Sequence, residues 1–171
     1  MKLLIENWRK FMTEEQKLNQ LSDFIGKYEP GMIRLFHFTR APDDTEEIMI
    51  DPQFFVTSRG SYSKNEWNKS SFPRSFFYTD LNNIEGNLFS SSKLFYGDVQ
   101  GSDIYDFKND INLEDYYMQA KHPQYNYVDW TKLFKLISES YKGMYYTLGP
   151  KGPPIVVYFE PLKVKIISKE E

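Results

Sequence analysis

The chain contains few side chains that could carry acid–base or metal chemistry. It has two histidines, His37 and His122, and no cysteine. A disulfide framework, a thiolate zinc site and a cysteine nucleophile are therefore excluded. The two histidines are far apart and belong to no HxH or HExxH pattern, so the sequence predicts no metal site.

His37 is the better candidate for a functional role. It lies in LFHFT, between two phenylalanines, in a segment with the composition of a strand. Such a histidine is either a core or edge residue satisfied by its neighbours, or a group that positions a ligand. The second role is open to it because a neutral imidazole offers one N–H donor and one acceptor at fixed geometry. His122 precedes Pro123 in a predicted surface loop.

Motifs of the common nucleotide and hydrolase sites are missing. The chain contains no GxGxxG, GxxxxGK[ST] or GxSxG pattern. GPKGPP has glycine and lysine but lacks the spacing and the following helix that a phosphate cradle needs. The carboxylates in APDDTEE form one charged loop, for which a solvated turn is the default interpretation.

The elements that must position these residues are strands and helices in irregular alternation. Strands are predicted in MIRLFHFT, IMIDPQFFVTS, RSFFYTD, LFYGDV with SDIYDF (a hairpin or two short strands), GMYYTL, and IVVYFEPLKVKII with a bend at Pro161. Helices are predicted before Gly26, around 113–120, and over about 129–140, the last closed by Lys142-Gly143. This order indicates an α+β fold with a mixed or antiparallel sheet.

Length and charge limit the organisation and the partners. The 171 residues correspond to about one domain, which we place at 31–171, after an N-terminal helical segment over 1–30. A net charge of -3 argues against nucleic acid as a partner, and no apolar run is long enough to span a membrane. We expect a soluble, cytoplasmic protein. The polar stretch 59–72 is predicted to be a loop.

Several short stretches, taken in order, resemble phage-associated ADP-ribosyltransferase-like domains. They are IRLFHFT, DPQFFVTS, PRSFFYTD, KLFYGDVQGSDIYDF and GMYYTLGPKGPPIVVYFEPLKVKII, and together they cover roughly residues 32–166. The resemblance implies an ADP-ribosyltransferase-like split sheet, here with N-terminal helices. MKLLIENWRKFMTEE is similar to the amphipathic starts of some T4-like phage head proteins, so residues 1–12 are either a targeting tag for a virion or a plain structural helix.

The resemblance also implies a cofactor and its site. In the wider family, NAD lies in a cleft between two small sheets. By this resemblance His37 would bond the nicotinamide ribose, with Thr39 close behind, and Tyr78 would stack on the nicotinamide ring, with Phe77 as the alternative. A tyrosine face suits a flat cationic ring. The implied activity is that of a phage-type, NAD-dependent mono-ADP-ribosyltransferase that modifies a host protein.

The sequence departs from the family at the catalytic glutamate. Scission of the glycosidic bond passes through an oxocarbenium-like state that a nearby carboxylate stabilises. The family places this glutamate at the start of the C-terminal strand, where this chain has Pro153 or Pro154. Glu160, at the far end of the same strand, is the remaining catalytic candidate. The alternative function is therefore a catalytically inactive virion-associated, interaction or inhibitor protein with the same fold.

Overall fold

The computed structural model describes residues 24–53, 72–81, 93–108, 113–124, 127–147 and 153–167. The strands within these ranges are β1 (Met32–Thr39), β2 (Glu47–Ile50), β3 (Ser75–Tyr78), β4 (Lys93–Gln100), β5 (Ile104–Asp106), β6 (Gly143–Thr147), β7 (Pro154–Tyr158) and β8 (Leu162–Ile166). The helices are α1 (Leu113–Ala120) and α2 (Trp130–Ser138). The predicted N-terminal helices, the tag over 1–12 and nearly all of the loop over 59–72 lie outside the described residues.

The strands form one eight-stranded sheet in the order β2-β8-β4-β1-β3-β7-β6-β5. The β5–β6 pair is parallel, and the other neighbours are antiparallel. The predicted α+β class with a mixed sheet is therefore confirmed. The two α-helices that lie wholly within the described ranges have eight and nine residues, and no helix in those ranges has the length and apolarity needed to cross a bilayer.

Most predicted strands are found close to their expected places. The prediction over MIRLFHFT coincides with β1. β2 ends at Ile50, before Pro52, which has no N–H to donate to a ladder. Pro52 and Gln53 are helical, so the predicted extended segment does not resume there. Of the two alternatives predicted for 94–107, the hairpin is wrong and the pair of separate strands is confirmed. β4 and β5 lie in different parts of the sheet, separated in the strand order by β1, β3, β7 and β6.

The junction between β1 and β3 is the narrowest in the sheet. It consists of one Cα pair, Phe36↔Tyr78, whereas β1 pairs with β4 along all eight of its residues. The resemblance implied a split sheet. The described strands instead form a single sheet, whose two halves, β2-β8-β4-β1 and β3-β7-β6-β5, meet at this pair.

The link between β4 and β5 requires the two halves to fold toward each other. In a flat sheet these strands would lie five inter-strand spacings apart, or about 24 Å. Only a 3-10 helix, Gly101–Asp103, joins them, and the four Cα steps from Gln100 to Ile104 reach at most about 14 Å. The sheet therefore bends at the β1–β3 junction.

The bend encloses one hydrophobic core between the two halves. We call the enclosed side, which carries Leu35, Phe77 and Val156, the inner face. One buried cluster joins inner-face residues of both halves: Ile33, Leu35, Phe95, Val99 and Val164 from the first, and Phe77, Ile104, Tyr145, Val156 and Tyr158 from the second. Each half thus covers the apolar side chains of the other.

The opposite side, which carries Phe36, Tyr78 and Val157, is the outer face. In the second half it is covered by the helices, in a cluster of Tyr105, Ala120, Leu133, Phe134, Ile137, Met144 and Val157. α2 buries Leu133, Phe134 and Ile137 at helical spacing. Its N-cap is Asp129, whose carboxylate accepts from the Lys132 N–H at 3.1 Å.

The predicted C-terminal end of α2 is wrong. Lys142-Gly143 does not close α2, which ends at Ser138. Gly143 is the first residue of β6, where an added Cβ would lie 2.8 Å from Ile104 Cδ1 and 2.9 Å from the Val157 carbonyl oxygen. Glycine is required there by close packing between strands and has no role in terminating the helix.

Candidate functional site

His37 lies at the junction of the two halves, next to the Phe36↔Tyr78 pair. Its Nδ1 is 2.9 Å from the carbonyl oxygen of Phe76 on β3. A carbonyl can only accept, so Nδ1 carries the proton and donates it. The imidazole is thus a side-chain link between β1 and β3 at the place where their main chains share a single Cα pair.

This bond decides what the other ring nitrogen can do. In the neutral imidazole Nε2 then has no proton and is an acceptor for an O–H or N–H group. Burial lowers the pKa of His37 below its ordinary value, and the bond to the Phe76 carbonyl offsets part of that effect. The ring is therefore neutral at physiological pH, with a fixed tautomer.

Thr39 and Phe77 lie on the same face as His37. Side chains alternate along a strand, so His37 and Thr39 both point to the inner face, and Thr39 is half-buried. The Phe77 ring is 5.3 Å from the imidazole, at an interplanar angle of 52°. Phe77 is 1 % exposed and packs into the inner core, so its ring is not accessible for stacking on a ligand.

Tyr78 lies on the opposite face from His37. It is the direct partner of Phe36, and partners in an antiparallel pair point to the same side. Its ring contacts Phe38, another outer-face residue, at 6.3 Å in an edge-on arrangement. His37 and Tyr78 were expected to contact the same ligand. In the structure they lie on opposite faces of the sheet.

Glu160 is also remote from His37. β7 begins at Pro154, beside Thr147 and Thr79, and Glu160 follows the other end of the strand in an exposed bend. The pairs Phe36↔Tyr78 and Phe77↔Val156 place His37 level with Val156, and four residues, or about 13 Å of extended chain, separate Val156 from Glu160. Burial raises the pKa of Tyr158, and the nearby Glu160 carboxylate raises it further.

Among the residues that the structure describes, the remaining titratable groups form no metal site. Within the described ranges, no three His, Asp or Glu side chains are grouped so that they could hold a metal ion. His122 stacks on Tyr127 with ring centroids 5.0 Å apart, and its Nδ1 accepts from the Gln124 N–H at 3.2 Å. His122 thus belongs to a local turn, consistent with the predicted surface loop.

Two contacts of β1 side chains, one with β3 and one with β4, were missed from the sequence. One is the Phe76 carbonyl, a main-chain partner that leaves no signal in the residue types. The other is Arg34, whose guanidinium stacks between the rings of Tyr28 and Tyr96 at 4.2 and 4.1 Å. It also makes two bonds to Asp98, at 2.8 and 2.9 Å. This contact became visible only with the β1–β4 register, in which Arg34 is opposite Asp98.

No protein-family model, curated protein or solved structure matches this chain. A functional assignment therefore depends on the geometry of the chain itself. The feature with a defined chemical capacity is His37, which presents an acceptor nitrogen at the junction of the two half-sheets.

Proposed function

We propose that this chain is an ADP-ribosyltransferase-like protein of the phage type, which binds NAD or a related nucleotide at the β1–β3 junction. The observation that carries the proposal is the bond from His37 Nδ1 to the Phe76 carbonyl. It holds the imidazole as a neutral acceptor at the position where the two halves of the sheet meet. Thr39, two residues further along the same face, adds a hydroxyl.

An acceptor nitrogen at this position suits a sugar hydroxyl. A ribose O–H donates to Nε2, whereas a phosphate or carboxylate oxygen has no proton to offer at neutral pH. Because the pKa of His37 is lowered, the acceptor stays unprotonated to a lower pH than in an exposed imidazole. We therefore assign the ribose of the nucleotide, rather than its phosphates, to His37.

The residues at the two ends of β7 argue against fast transferase chemistry. Stabilising the charge that develops at the reacting centre is usually the largest catalytic contribution. The position matching the family's glutamate is occupied by Pro154 or its neighbour Pro153, and neither has a charged side chain. Glu160 is at the other end of β7. We propose that bound NAD is hydrolysed or transferred slowly or not at all.

Tyr78 is excluded from the proposed site. It points to the outer face, so a ligand that contacts His37 on the inner face cannot also stack on the Tyr78 ring. The binding therefore depends on His37 and Thr39, and Tyr78 becomes a useful control. The proposed site contains no aromatic ring that stacks on the nicotinamide.

Calorimetry with NAD, beside a nicotinamide-release assay, tests the proposal. We expect measurable binding by the parent, a loss of at least tenfold in His37→Ala, and unchanged binding in Tyr78→Ala. Undetectable binding at millimolar NAD would contradict it. Rapid nicotinamide release would contradict slow turnover, and modification of a host protein would then be the activity to assay.

The second candidate is a catalytically inactive virion-associated, interaction or inhibitor protein that keeps this fold. It is favoured by the proline at the position of the expected glutamate. It predicts that the parent and His37→Ala are equally unable to bind NAD, while both remain folded. Recovery of the protein from purified virions would support the virion-associated form.

A further inference from the structure

β2 is the last strand at one side of the sheet, as far as the described residues extend. Its hydrogen-bonded neighbour is β8, with Ile48 opposite Val164 and Ile50 opposite Leu162. A terminal strand has main-chain groups on its other side that can pair with another chain. This side, which we call the β2 edge, is three strand positions away from β1 and the His37 junction.

The ladder shows which main-chain groups belong to the β2 edge. The Ile166 N–H donates to the Glu46 carbonyl at 2.8 Å, so this is a hydrogen-bonded pair. Hydrogen-bonded and non-bonded pairs alternate in an antiparallel ladder. Ile48 and Ile50 therefore direct their main-chain groups toward β8. Glu47 and Met49 direct theirs away from it.

The surroundings of the β2 edge are exposed and acidic. The Met49 residue is 58 % exposed, although it is a large apolar side chain on a strand. Residues 41–52, APDDTEEIMIDP, include five carboxylates and no lysine or arginine. Glu47 is paired with Lys163 and Lys165 of β8, and Asp43 with Lys93 at 3.5 Å. The other three carboxylates around the strand, Asp44, Glu46 and Asp51, are exposed.

We infer that the β2 edge is a docking site for an extended segment of a partner protein that carries lysine or arginine side chains. The segment adds a strand beside β2 through the main-chain groups of Glu47 and Met49. Its basic side chains complement the neighbouring carboxylates, and its apolar ones cover Met49. A second copy of this chain is a poor occupant, because edge-to-edge pairing would bring the same carboxylates together.

This inference is independent of the proposed nucleotide binding. The β2 edge shares no residue with the His37 junction, and strand addition requires no ligand there. A protein that fails to bind NAD can still bind a partner at β2, and the reverse also holds. The two proposals can therefore fail separately.

The test uses the 171-residue chain and two nine-residue peptides, one alternating valine with lysine and one alternating valine with glutamate. Met49→Pro is the informative variant, because it removes an N–H that points away from β8 and keeps the β8 ladder intact. Met49→Thr is the matched control, since it changes the same side chain and retains the N–H. Circular dichroism establishes that both variants are folded.

We expect the lysine peptide to bind the parent and Met49→Thr, with a Kd at least tenfold weaker for Met49→Pro and affinity that decreases with added salt. Amide exchange at Glu47 and Met49 should slow on binding. The inference is overturned if the lysine peptide does not bind, if Met49→Pro binds it equally well, or if the glutamate peptide binds as tightly. Concentration-dependent dimerisation that Met49→Pro abolishes would assign the edge to a second copy and also overturn it.

Discussion

The Nδ1 of His37 donates to the main-chain carbonyl of Phe76 over 2.9 Å, beside the single Cα pair that joins β1 to β3. A side chain thereby supplements main-chain pairing where the two halves of the sheet meet. The same bond fixes the histidine tautomer. Nδ1 thus makes a structural contact, and Nε2 of the same ring is the nitrogen that we propose contacts a ligand.

The lowered pKa of His37 should make the protein less stable in mild acid. The unfolded chain takes up a proton near pH 6.5, whereas the folded chain resists protonation because the ring is buried. The contribution of His37 is therefore complete above pH 6.5 and is lost as the pH decreases toward its folded pKa. We expect the thermal midpoint of the parent to decrease between pH 7 and pH 5.

His37→Asn separates this effect from the titration of carboxylates. The asparagine amide can donate to the Phe76 carbonyl but does not titrate. The thermal midpoint, measured at intervals of half a pH unit, should decrease more steeply with pH in the parent than in His37→Asn. Parallel curves would show that protonation of His37 is not coupled to folding.

Gly143→Ala should destabilise the domain by about 1–3 kcal/mol. The new methyl group would lie 2.9 Å from the Val157 carbonyl oxygen, which belongs to a paired strand and cannot move aside easily. The measurement is urea unfolding followed by circular dichroism. Gln119→Ala, an exposed substitution on α1, is the control, and an equal effect of the two would contradict the packing argument.

Arg34→Lys should cost about 1 kcal/mol, although it keeps the positive charge. Lysine cannot reproduce the two bonds to Asp98, and it lacks the flat guanidinium that stacks between Tyr28 and Tyr96. A double-mutant cycle with Asp98→Asn measures the coupling. Lys163→Ala, in an exposed ion pair, should change the free energy of unfolding by less than about 0.5 kcal/mol.

Leu133→Ala should cost about 2–5 kcal/mol, because Leu133 is fully buried between α2 and the outer face. Lys132→Ala, next to it on the exposed side of the same helix, should have little effect. Chemical denaturation of both variants tests whether α2 belongs to the cooperative core. If Leu133→Ala is as stable as Lys132→Ala, α2 is not packed as described.

The positions of most strands follow from the residue order alone. MIRLFHFT is rich in branched and aromatic residues and becomes β1 over the same eight residues. Pro52 marks the end of β2 because proline lacks a main-chain donor. These features are local, so neighbouring residues are sufficient to predict them. The absence of cysteine likewise excluded whole classes of site without any structure.

Which strands are neighbours was decided by tertiary packing. The segments of β4 and β5 are adjacent in sequence and suggested a hairpin, but they lie in opposite halves of the sheet. Phe95 and Val99 of β4 and Ile104 of β5 instead meet in the core that the bend encloses. Burial of this kind depends on residues far apart in the chain, which periodicity does not detect.

The candidate site shows most clearly which features follow from the residue order and which depend on tertiary packing. The residue types of His37, Phe77 and Tyr78 could be identified from the sequence, and so could the prolines at the position of the expected glutamate. Only the register, with Phe36 opposite Tyr78, places Phe77 rather than Tyr78 on the face of His37. Because side chains alternate along a strand, a shift of one residue would reverse that outcome. The sequence determined which groups are present, and long-range strand pairing determined which of them meet.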